Sequence, residues 1–414
     1  MRAVSVYCGN APDPLSSNQA VKNELPLLRF IPFRRSDILR MCVADGRLDD
    51  KQSARLHRAS EVINTHFQQE FHSIRQQLKD AYSPLDPDTD TRIVGEPGAG
   101  EVDHQLAHLL EGVLDRANYE RVSEDTLQQA FASESLFSVQ LYVDMDDFQE
   151  ALLYVRGATQ QQEELRTFFG LRRRKIDFIN LERVVLYIRF RDDVDAESTL
   201  GGCRPGSTML KLFQNVPAAD IEMLFPNTRV GMRLMDKLLI GVPALVSGGV
   251  VMTTKVGTTL ILLGSLIGFW IGLKSEPVHL DKATSLALLA GLGTLGGYLW
   301  KQFSKFRNRK LRYTQALTEN LYFKLLDNNA GVIYRILDEA EESEIKESLL
   351  AYYFLLMQPG QVSQETIDRA IESWFREQWQ CRLNFEITDA LQKLQRLGLA
   401  REGDEGWELV SSSD

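Results

Sequence analysis

The stretch LERVVLYIRFR (181–191) is dense in valine, tyrosine, isoleucine and phenylalanine. β-Branched and aromatic residues are enriched in strands, so the stretch predicts a β-strand. Three other stretches share this composition: LFSVQLYV (136–143), FQEALLYVRG (148–157) and TMLKLFQNV (208–216). Polar turns separate them and the connections are mostly short, which indicates antiparallel pairing. We therefore expect an antiparallel β region of four strands within residues 136–235.

The residues before this region have a helical period instead. Between Asp50 and Tyr82 the apolar residues recur every three or four positions, at Leu56, Ala59, Ile63, Phe67, Phe71, Ile74 and Leu78. That spacing predicts one long helix with a single buried face. Further helices are expected near 102–116 and 123–132, so residues 1–135 form a mostly helical N-terminal region. A helical layer followed by a sheet predicts an α+β fold.

Three uncharged runs follow the β region in a chain that is 25% charged: Leu238–Thr254, Val256–Leu273 and Ala283–Trp300. The last two contain 18 residues each, and a helix of that length spans about 27 Å, close to the hydrocarbon thickness of a bilayer. They predict a transmembrane hairpin with spans near 256–273 and 283–300, inside a hydrophobic region 238–302. The first run is interrupted by Pro243, Gly248 and Gly249, and it is left open as an interfacial or re-entrant segment.

Charges and small residues around these runs predict how the hairpin sits and packs. Basic residues flank both outer ends, whereas Lys274 and Lys282 balance Glu276 and Asp281 in the connector, so both termini are expected on the cytoplasmic side. Glycines at four-residue spacing let helices approach closely in lipid, which predicts a packing seam at Gly264, Gly268, Gly272, Gly293 and Gly297. The expected interface anchors are Trp270, Trp300, Lys301, Lys305, Arg307, Arg309 and Lys310.

Beyond the runs, residues 303–343 predict a helical connector and residues 344–414 a winged-helix-like domain. The order there is helix, helix, helix and then a two-strand unit around LAREGDEGWELV (399–410). DNA binding is not expected, because it needs phosphate neutralisation by Lys and Arg. Residues 313–414 hold nine basic and nineteen acidic residues, and Glu386 and Asp389 offset Lys393 and Arg396 in the helix that would read DNA.

Two candidate metal sites are weaker than their alternatives. Asp86, Asp88 and Asp90 resemble the start of a calcium loop, but an EF-hand has Gly at its sixth and Glu at its twelfth position. Thr91 and Pro97 occupy those places, so a turn with capping carboxylates is preferred. His104 and His108 have the spacing of two metal ligands on a helix. Without a third histidine nearby in sequence, a solvated helix face is preferred.

Two charge runs have plain interpretations. The acidic run Asp338, Glu339, Glu341, Glu342, Glu344 and Glu347 is interpreted as a charged helix face, with Glu342 and Lys346 as an i,i+4 ion pair, and binding of a basic partner or a cation is the alternative. RRRK (172–175) is interpreted as an exposed loop or a contact with anionic lipid.

No P-loop, nucleophile elbow, dinucleotide fingerprint or Cys/His nucleophile pair occurs in the sequence. We therefore expect a non-enzymatic protein with no catalytic, cofactor-binding or metal-binding residues. The N-terminus lacks the apolar core of a signal peptide, so membrane insertion would be directed from inside the chain.

Several motifs resemble a known family. They are FIPFRRSDI (30–38), AYSPLDPDTDT (81–91), ALLYVRG (151–157), LKLFQNVPAADIEMLFP (210–226), LYFKLLDNNAGV (321–332) and DEAEESEIKESLLAYYFLL (338–356). Together they are similar to the transmembrane-protein-143-like family, a domain of unknown function. The resemblance implies a hydrophobic pair between two soluble regions and implies no activity. The chain lacks the long leader of mitochondrial members, which favours a bacterial inner membrane.

The expected function is that of a membrane-anchored scaffold or regulatory protein that holds two soluble regions on the cytoplasmic face. The main alternative is an oligomeric pore or transport component built from the glycine-lined hairpin, and a third is an enzyme with an unrecognised site in the α+β region. The expected partners are the lipid bilayer and a protein partner or a second copy of the chain, with no nucleic acid and no cofactor. The expected location is the bacterial inner membrane, with both termini cytoplasmic.

Overall fold

A computed structural model describes residues 27–90, 92, 101–123, 140–167, 172–193, 204–231, 264–265, 267, 271 and 282–410. The chain divides into two compact units. The first comprises Met1–Glu134, Asp144–Asn227 and Phe323–Asp414, and the second comprises Ser135–Val143 and Thr228–Tyr322. The main sheet, the helical layer, and the ion cluster and two cavities described below all belong to the first unit.

A five-stranded antiparallel sheet forms one layer of the first unit. Its order is β2 (Glu120–Arg121), β4 (Phe148–Thr167), β5 (Arg172–Phe190), β6 (Thr208–Pro217) and β8 (Leu325–Asn328). The five consecutive residues 184–188 of β5 are all buried, because β5 is paired on both edges and covered on both faces. The predicted α+β fold with an antiparallel sheet is confirmed.

The predicted membership of the sheet is partly wrong. LFSVQLYV contributes only β3 (Gln140–Tyr142), which pairs with β7 (Arg229–Gly231) in the second unit. The edge strand β8 comes instead from residues expected to lie within the helical connector 303–343. RRRK (172–175) lies at the start of β5, paired with residues 164–167 of β4, and is not a loop. The β3–β7 pair and the pairing of β8 with β6 join segments that are far apart in sequence. They depend on tertiary contacts that local composition does not encode.

The helical layer is formed by α1 (Arg35–Ala44), α2 (Asp50–Tyr82) and α3 (Glu101–Arg116). Helix α2 begins with a capping box in which Asp49 and Gln52 each accept a hydrogen bond from the other's backbone N–H. Its predicted apolar stripe is buried, with Ile74 only partly so. The long helix expected from Asp50 to Tyr82 and the helix expected near 102–116 are confirmed, whereas most of 123–132 lies outside the described residues.

The C-terminal helices share this core. Helix α5 (Ala330–Leu356) is buried along its whole second half and packs against α1, α2 and α3. It is followed by α6 (Gln364–Trp379), β9 (Arg382–Leu383), α7 (Ile387–Arg396) and the hairpin of β10 (Ala400–Gly403) and β11 (Gly406–Leu409). The expected succession of three helices and a two-strand unit is present. In addition, β9 pairs in parallel with β1 (Leu27–Leu28), which joins the two ends of the described chain.

The predicted transmembrane hairpin is wrong. No helix in the described parts of the chain is long and apolar enough to cross a membrane. Residues 283–300 belong to α4 (Lys282–Lys324), a 43-residue helix. Within these residues, glycine, serine and threonine lie among the apolar residues and lower the mean hydropathy. A basic run follows directly in the same helix. The span expected near 256–273 lies almost entirely outside the described residues. The expected placement of the chain as an integral protein of the bacterial inner membrane is contradicted by the same finding.

Candidate functional site

The residues predicted to pack or anchor the hairpin are described only in part, and those from Gly293 onward lie in α4. A Cβ atom built on Gly264, Gly293 or Gly297 would meet no described heavy atom within 4 Å, so no described group packs on these positions. Trp300 is 68% exposed, and Lys301 and Arg307 are exposed on α4. The remaining positions, or their side chains, lie outside the described part of the chain: Gly268, Trp270, Gly272, Lys305, Arg309 and Lys310.

Of the two candidate metal motifs, the structure describes the aspartates Asp86, Asp88 and Asp90 and only part of the histidine pair. The Asp86 side chain accepts a hydrogen bond from the Asp88 backbone N–H at 3.0 Å, which is the expected turn. The Asp88 carboxylate in turn accepts a hydrogen bond from the side-chain amide of Asn329. His108 is exposed on α3, and the His104 side chain lies outside the described residues.

The acidic run forms part of a buried ion cluster, which the interpretation as a charged outer face missed. Glu344 and Glu347 are 1% and 8% exposed on α5, and Lys393 of α7 is 4% exposed between them. The Lys393 ammonium pairs with Glu344 and Asp389, and lies 3.4 Å from Glu347. Arg116 of α3 also pairs with Glu344, at 2.5 Å. The predicted Glu342–Lys346 pair is present at 3.5 Å.

The cluster already contains its own cation. Oxygen atoms of Glu344, Glu347 and Asp389 lie within 4.8 Å of one another, as the ligands of a metal ion would. However, the Lys393 ammonium contacts all three carboxylates and supplies the positive charge there. We therefore interpret the cluster as an ionic junction that joins α5 and α7.

Burial and charge shift the pKa values in this cluster. Burial raises the pKa of Glu347 to about 7, although Lys393 acts against that shift. Burial alone would lower the pKa of Lys393, but the attraction of Glu347, Glu344 and Asp389 outweighs it, and the pKa is raised. The Lys393 ammonium therefore stays charged and is committed to internal ion pairs. One of the two basic residues of α7 is thus engaged in internal ion pairs and not available to an external anion.

An open cleft lies between α1 and α6, and unlike the ion cluster it is lined by both aromatic and charged side chains. It has a volume of about 600 Å³. Its lining residues are Phe33, Asp37, Arg40, Met41, Ala44, Asp45, Trp374, Gln378 and Trp379. Trp379 is 41% exposed, and its ring lies 5.6 Å from Phe33 and 6.4 Å from Trp374, edge to face in both cases. Three aromatic rings thus share a wall of the cleft.

Asp45 is the fixed anion of the cleft. Its carboxylate accepts hydrogen bonds from the Tyr353 hydroxyl and from the indole N–H of Trp374, the latter at 3.2 Å, and it pairs with Arg47. Burial raises the pKa of Asp45, but these three donors outweigh burial, so the pKa lies below its usual value. The Asp45 side chain is therefore ionised at neutral pH and held in one orientation.

A second carboxylate, that of Asp37, lines the cleft one turn of α1 before the methionine Met41. It pairs with Arg40, whose side chain is 78% exposed. An exposed ion pair of this kind contributes little to stability and is easily exchanged. Aromatic rings attract a cation that lies over their faces, and carboxylates attract it by charge, so this combination of side chains is suited to hold a cationic group.

The cleft was missed because its two walls are distant in sequence. Phe33 and Asp37 lie in FIPFRRSDI and the tryptophans lie in ESWFREQW (372–379). The local signal is the pair Trp374 and Trp379, five residues apart on a helix that also carries the apolar residues Ile367, Ile371 and Phe375. Two large aromatic residues at that spacing are as consistent with a buried core as with a binding wall.

No solved structure matches the chain. A family model described as "Protein of unknown function (DUF3754)" matches residues 181–331. The match covers the second half of β5, all of β6, β8 and α4, and the first residues of α5, whereas the aromatic cleft lies outside it. Residues 181–331 of this chain are therefore a DUF3754 domain, whose function is unknown.

Proposed function

We propose that the protein is a non-enzymatic scaffold or regulatory protein that binds a partner protein by holding one of the partner's lysine or arginine side chains in the cleft between α1 and α6. The observation that supports this is the wall formed by Phe33, Trp374 and Trp379 beside the Asp45 carboxylate. Cation–π contacts to tryptophan contribute about 0.5–2 kcal/mol, more when the cation is desolvated.

Charge supports a basic partner. Residues 313–414 carry an excess of ten negative charges, from nineteen acidic against nine basic residues. An excess of negative charge of this kind attracts a positively charged segment toward the molecule and repels an acidic one. The aromatic rings would then determine where on the molecule the segment binds, because they offer apolar contact area that the surrounding acidic residues do not.

The arrangement of Asp45 supports a site that is formed before the partner arrives. Its three donors come from α5, α6 and the turn after α1, so the carboxylate is positioned by three parts of the chain. Preorganisation of this kind lowers the entropy cost of binding. The Asp37–Arg40 pair is the part that would rearrange, with the partner's cation replacing Arg40 beside Asp37.

The experiment is a calorimetric titration of the full chain with a capped lysine-rich peptide, compared with the same peptide after full acetylation of its lysines. We expect saturable binding of the charged peptide and at least about tenfold weaker binding of the acetylated one. The variant Arg40→Gln should bind the charged peptide more tightly, because it removes the cation that competes for Asp37. Arg396→Gln, an exposed arginine on α7, is the matched control and should not change binding.

Equal binding of both peptides would contradict the proposal, as would weaker binding to Arg40→Gln. Self-association of the chain, measured by sedimentation without peptide, would instead assign the surface to a second copy.

The predicted pore depended on the transmembrane hairpin and is not carried forward. Beyond the DUF3754 match, we propose that the chain is related to the transmembrane-protein-143-like family. The six motifs quoted above support this relationship.

A further inference from the structure

A second, smaller cavity lies beside the main sheet, where β4, β5 and β6 meet. Its volume is about 230 Å³, which is enough for a small ion or the head of a larger molecule. The lining residues are Phe30, Arg156, Thr159, Gln161, Asn180, Glu182, Arg183 and Asn215. All but Phe30 are polar or charged, so the cavity has the lining of a site for a polar group and not of a packing defect.

Buried hydrogen-bond donors without acceptors surround this cavity. Asn180 is only 3% exposed, and its side-chain amide nitrogen has no partner among the described residues. The Nε–H groups of Arg156 and Arg183 are likewise buried and without an acceptor in the described structure. A buried donor that is left unpaired destabilises the folded protein, so three such donors around one cavity indicate an acceptor that binds there.

Neighbouring contacts fix the two arginines in place. The Arg156 guanidinium lies 5.1 Å from the Phe30 ring and 4.9 Å from the Tyr119 ring, and it pairs with Glu339 at 3.2 Å. Arg183 donates to the backbone oxygen of Glu182 at 3.2 Å. Both guanidinium groups are therefore held by contacts that leave Nε unused.

The charges around the cavity indicate which kind of ligand it can bind. The Lys324 ammonium donates to the backbone oxygen of Asn215 and adds a positive charge beside the cavity. Among the lining residues, Glu182 is the acidic one, and its carboxylate lies over Gly157, where a Cβ atom would stand 2.7 Å from Oε2. Arg156, Arg183 and Lys324 together outnumber Glu182 and the Glu339 carboxylate that pairs with Arg156, so the groups around the cavity carry a net positive charge.

We propose that this cavity binds a small oxyanion, a carboxylate or a phosphate group, through Asn180, Arg156 and Arg183. The oxygen atoms of such a group accept the three unused N–H donors, and charge-assisted hydrogen bonds of this kind are about twice as strong as neutral ones. Glu182 opposes the bound anion and so weakens binding of a dianion more than that of a monoanion. The site is separate from the aromatic cleft and does not depend on the function proposed for it.

Calorimetric titration of the full chain with inorganic phosphate and, separately, with acetate at constant ionic strength tests the proposal. We expect saturable binding of at least one of the two, with one site per chain. Asn180→Asp keeps the size of the side chain but replaces the donor by a carboxylate, and Arg183→Gln removes a charge, so each should weaken binding at least about tenfold. Glu182→Gln should strengthen it, which a merely structural role for Glu182 does not predict.

Arg396→Gln is again the control and should bind as the natural protein does. Circular dichroism establishes which variants fold, and if Asn180→Asp does not fold, Arg183→Gln and Glu182→Gln decide the outcome. Absence of saturable binding for both anions would overturn the proposal. Binding that is unchanged in Arg183→Gln and in Glu182→Gln would also overturn it, because the anion would then bind elsewhere as an adventitious ion only.

Discussion

The indole N–H of Trp374 donates a hydrogen bond to Asp45 Oδ1 at 3.2 Å, joining residues 329 positions apart in the chain. This contact ties the first described helix to the C-terminal helices and fixes one wall of the aromatic cleft. The Tyr353 hydroxyl and Arg47 complete the set of donors to the same carboxylate. The cleft therefore depends on a polar network as much as on its aromatic rings.

Removal of the Asp45 carboxylate should destabilise the fold. In Asp45→Ala the Tyr353 hydroxyl and the Trp374 indole N–H lose their acceptor, and each unpaired donor costs about 1–3 kcal/mol where it stays buried. We expect the free energy of unfolding in urea to fall by about 2 kcal/mol or more. Asp404→Ala, in the exposed turn between β10 and β11, should change it by less than about 0.5 kcal/mol. An equal effect of the two substitutions would show that the network contributes nothing to stability.

Lys393 should be among the most sensitive positions of the chain. Lys393→Met keeps most of the side-chain volume but leaves Glu344 and Glu347 buried without their shared cation. Breaking a buried ion pair on one side costs about 3–5 kcal/mol. Denaturant unfolding of Lys393→Met against Arg396→Met, an exposed position of the same helix, measures the difference. A loss of stability below about 1 kcal/mol would contradict the described ion cluster.

Glu347 should make stability depend on pH near neutrality. Its pKa is raised to about 7 in the folded protein, from about 4.3 in an unfolded chain. Between these values the folded state holds a proton that the unfolded state has released, so stability falls as the pH rises. Urea unfolding at pH 5, 6, 7 and 8 should show this fall, and Glu347→Gln should make it smaller while keeping an acceptor for the Asn118 amide. A slope that is unchanged in the variant would assign the dependence to another group.

The helices of the first unit could be predicted because the signal is local. The apolar stripe of α2 recurs with the helical period over 33 residues, and burial of such a stripe is what stabilises a helix in a protein. The strands β4, β5 and β6 were predictable for the same reason. The edge strand β8 was not, because LLDN (325–328) has no strand pattern of its own and pairs with β6 only in the folded chain.

The transmembrane prediction was wrong because it relied on the absence of charge over 18 residues. Absence of charge is not the same as apolarity, and Gly293, Gly296, Gly297 and Thr294 weaken the run within α4. The buried ion cluster was missed for a related reason. Glu344, Glu347 and Lys393 are charged, and charge in a sequence predicts exposure unless the partner is known. That partner comes from a helix 46 positions away from Glu347.

The proposed function requires the cleft to recognise positive charge through its aromatic wall. The most direct measurement is a thermodynamic cycle that combines the charged and the acetylated peptide with the natural chain and with Trp379→Leu. Trp379 is 41% exposed, so leucine should be tolerated there without loss of the fold. We predict that acetylation weakens binding to the natural chain at least about fivefold more than it weakens binding to Trp379→Leu, a coupling of about 1 kcal/mol. A coupling of zero, with acetylation equally harmful in both proteins, would contradict recognition by the aromatic wall.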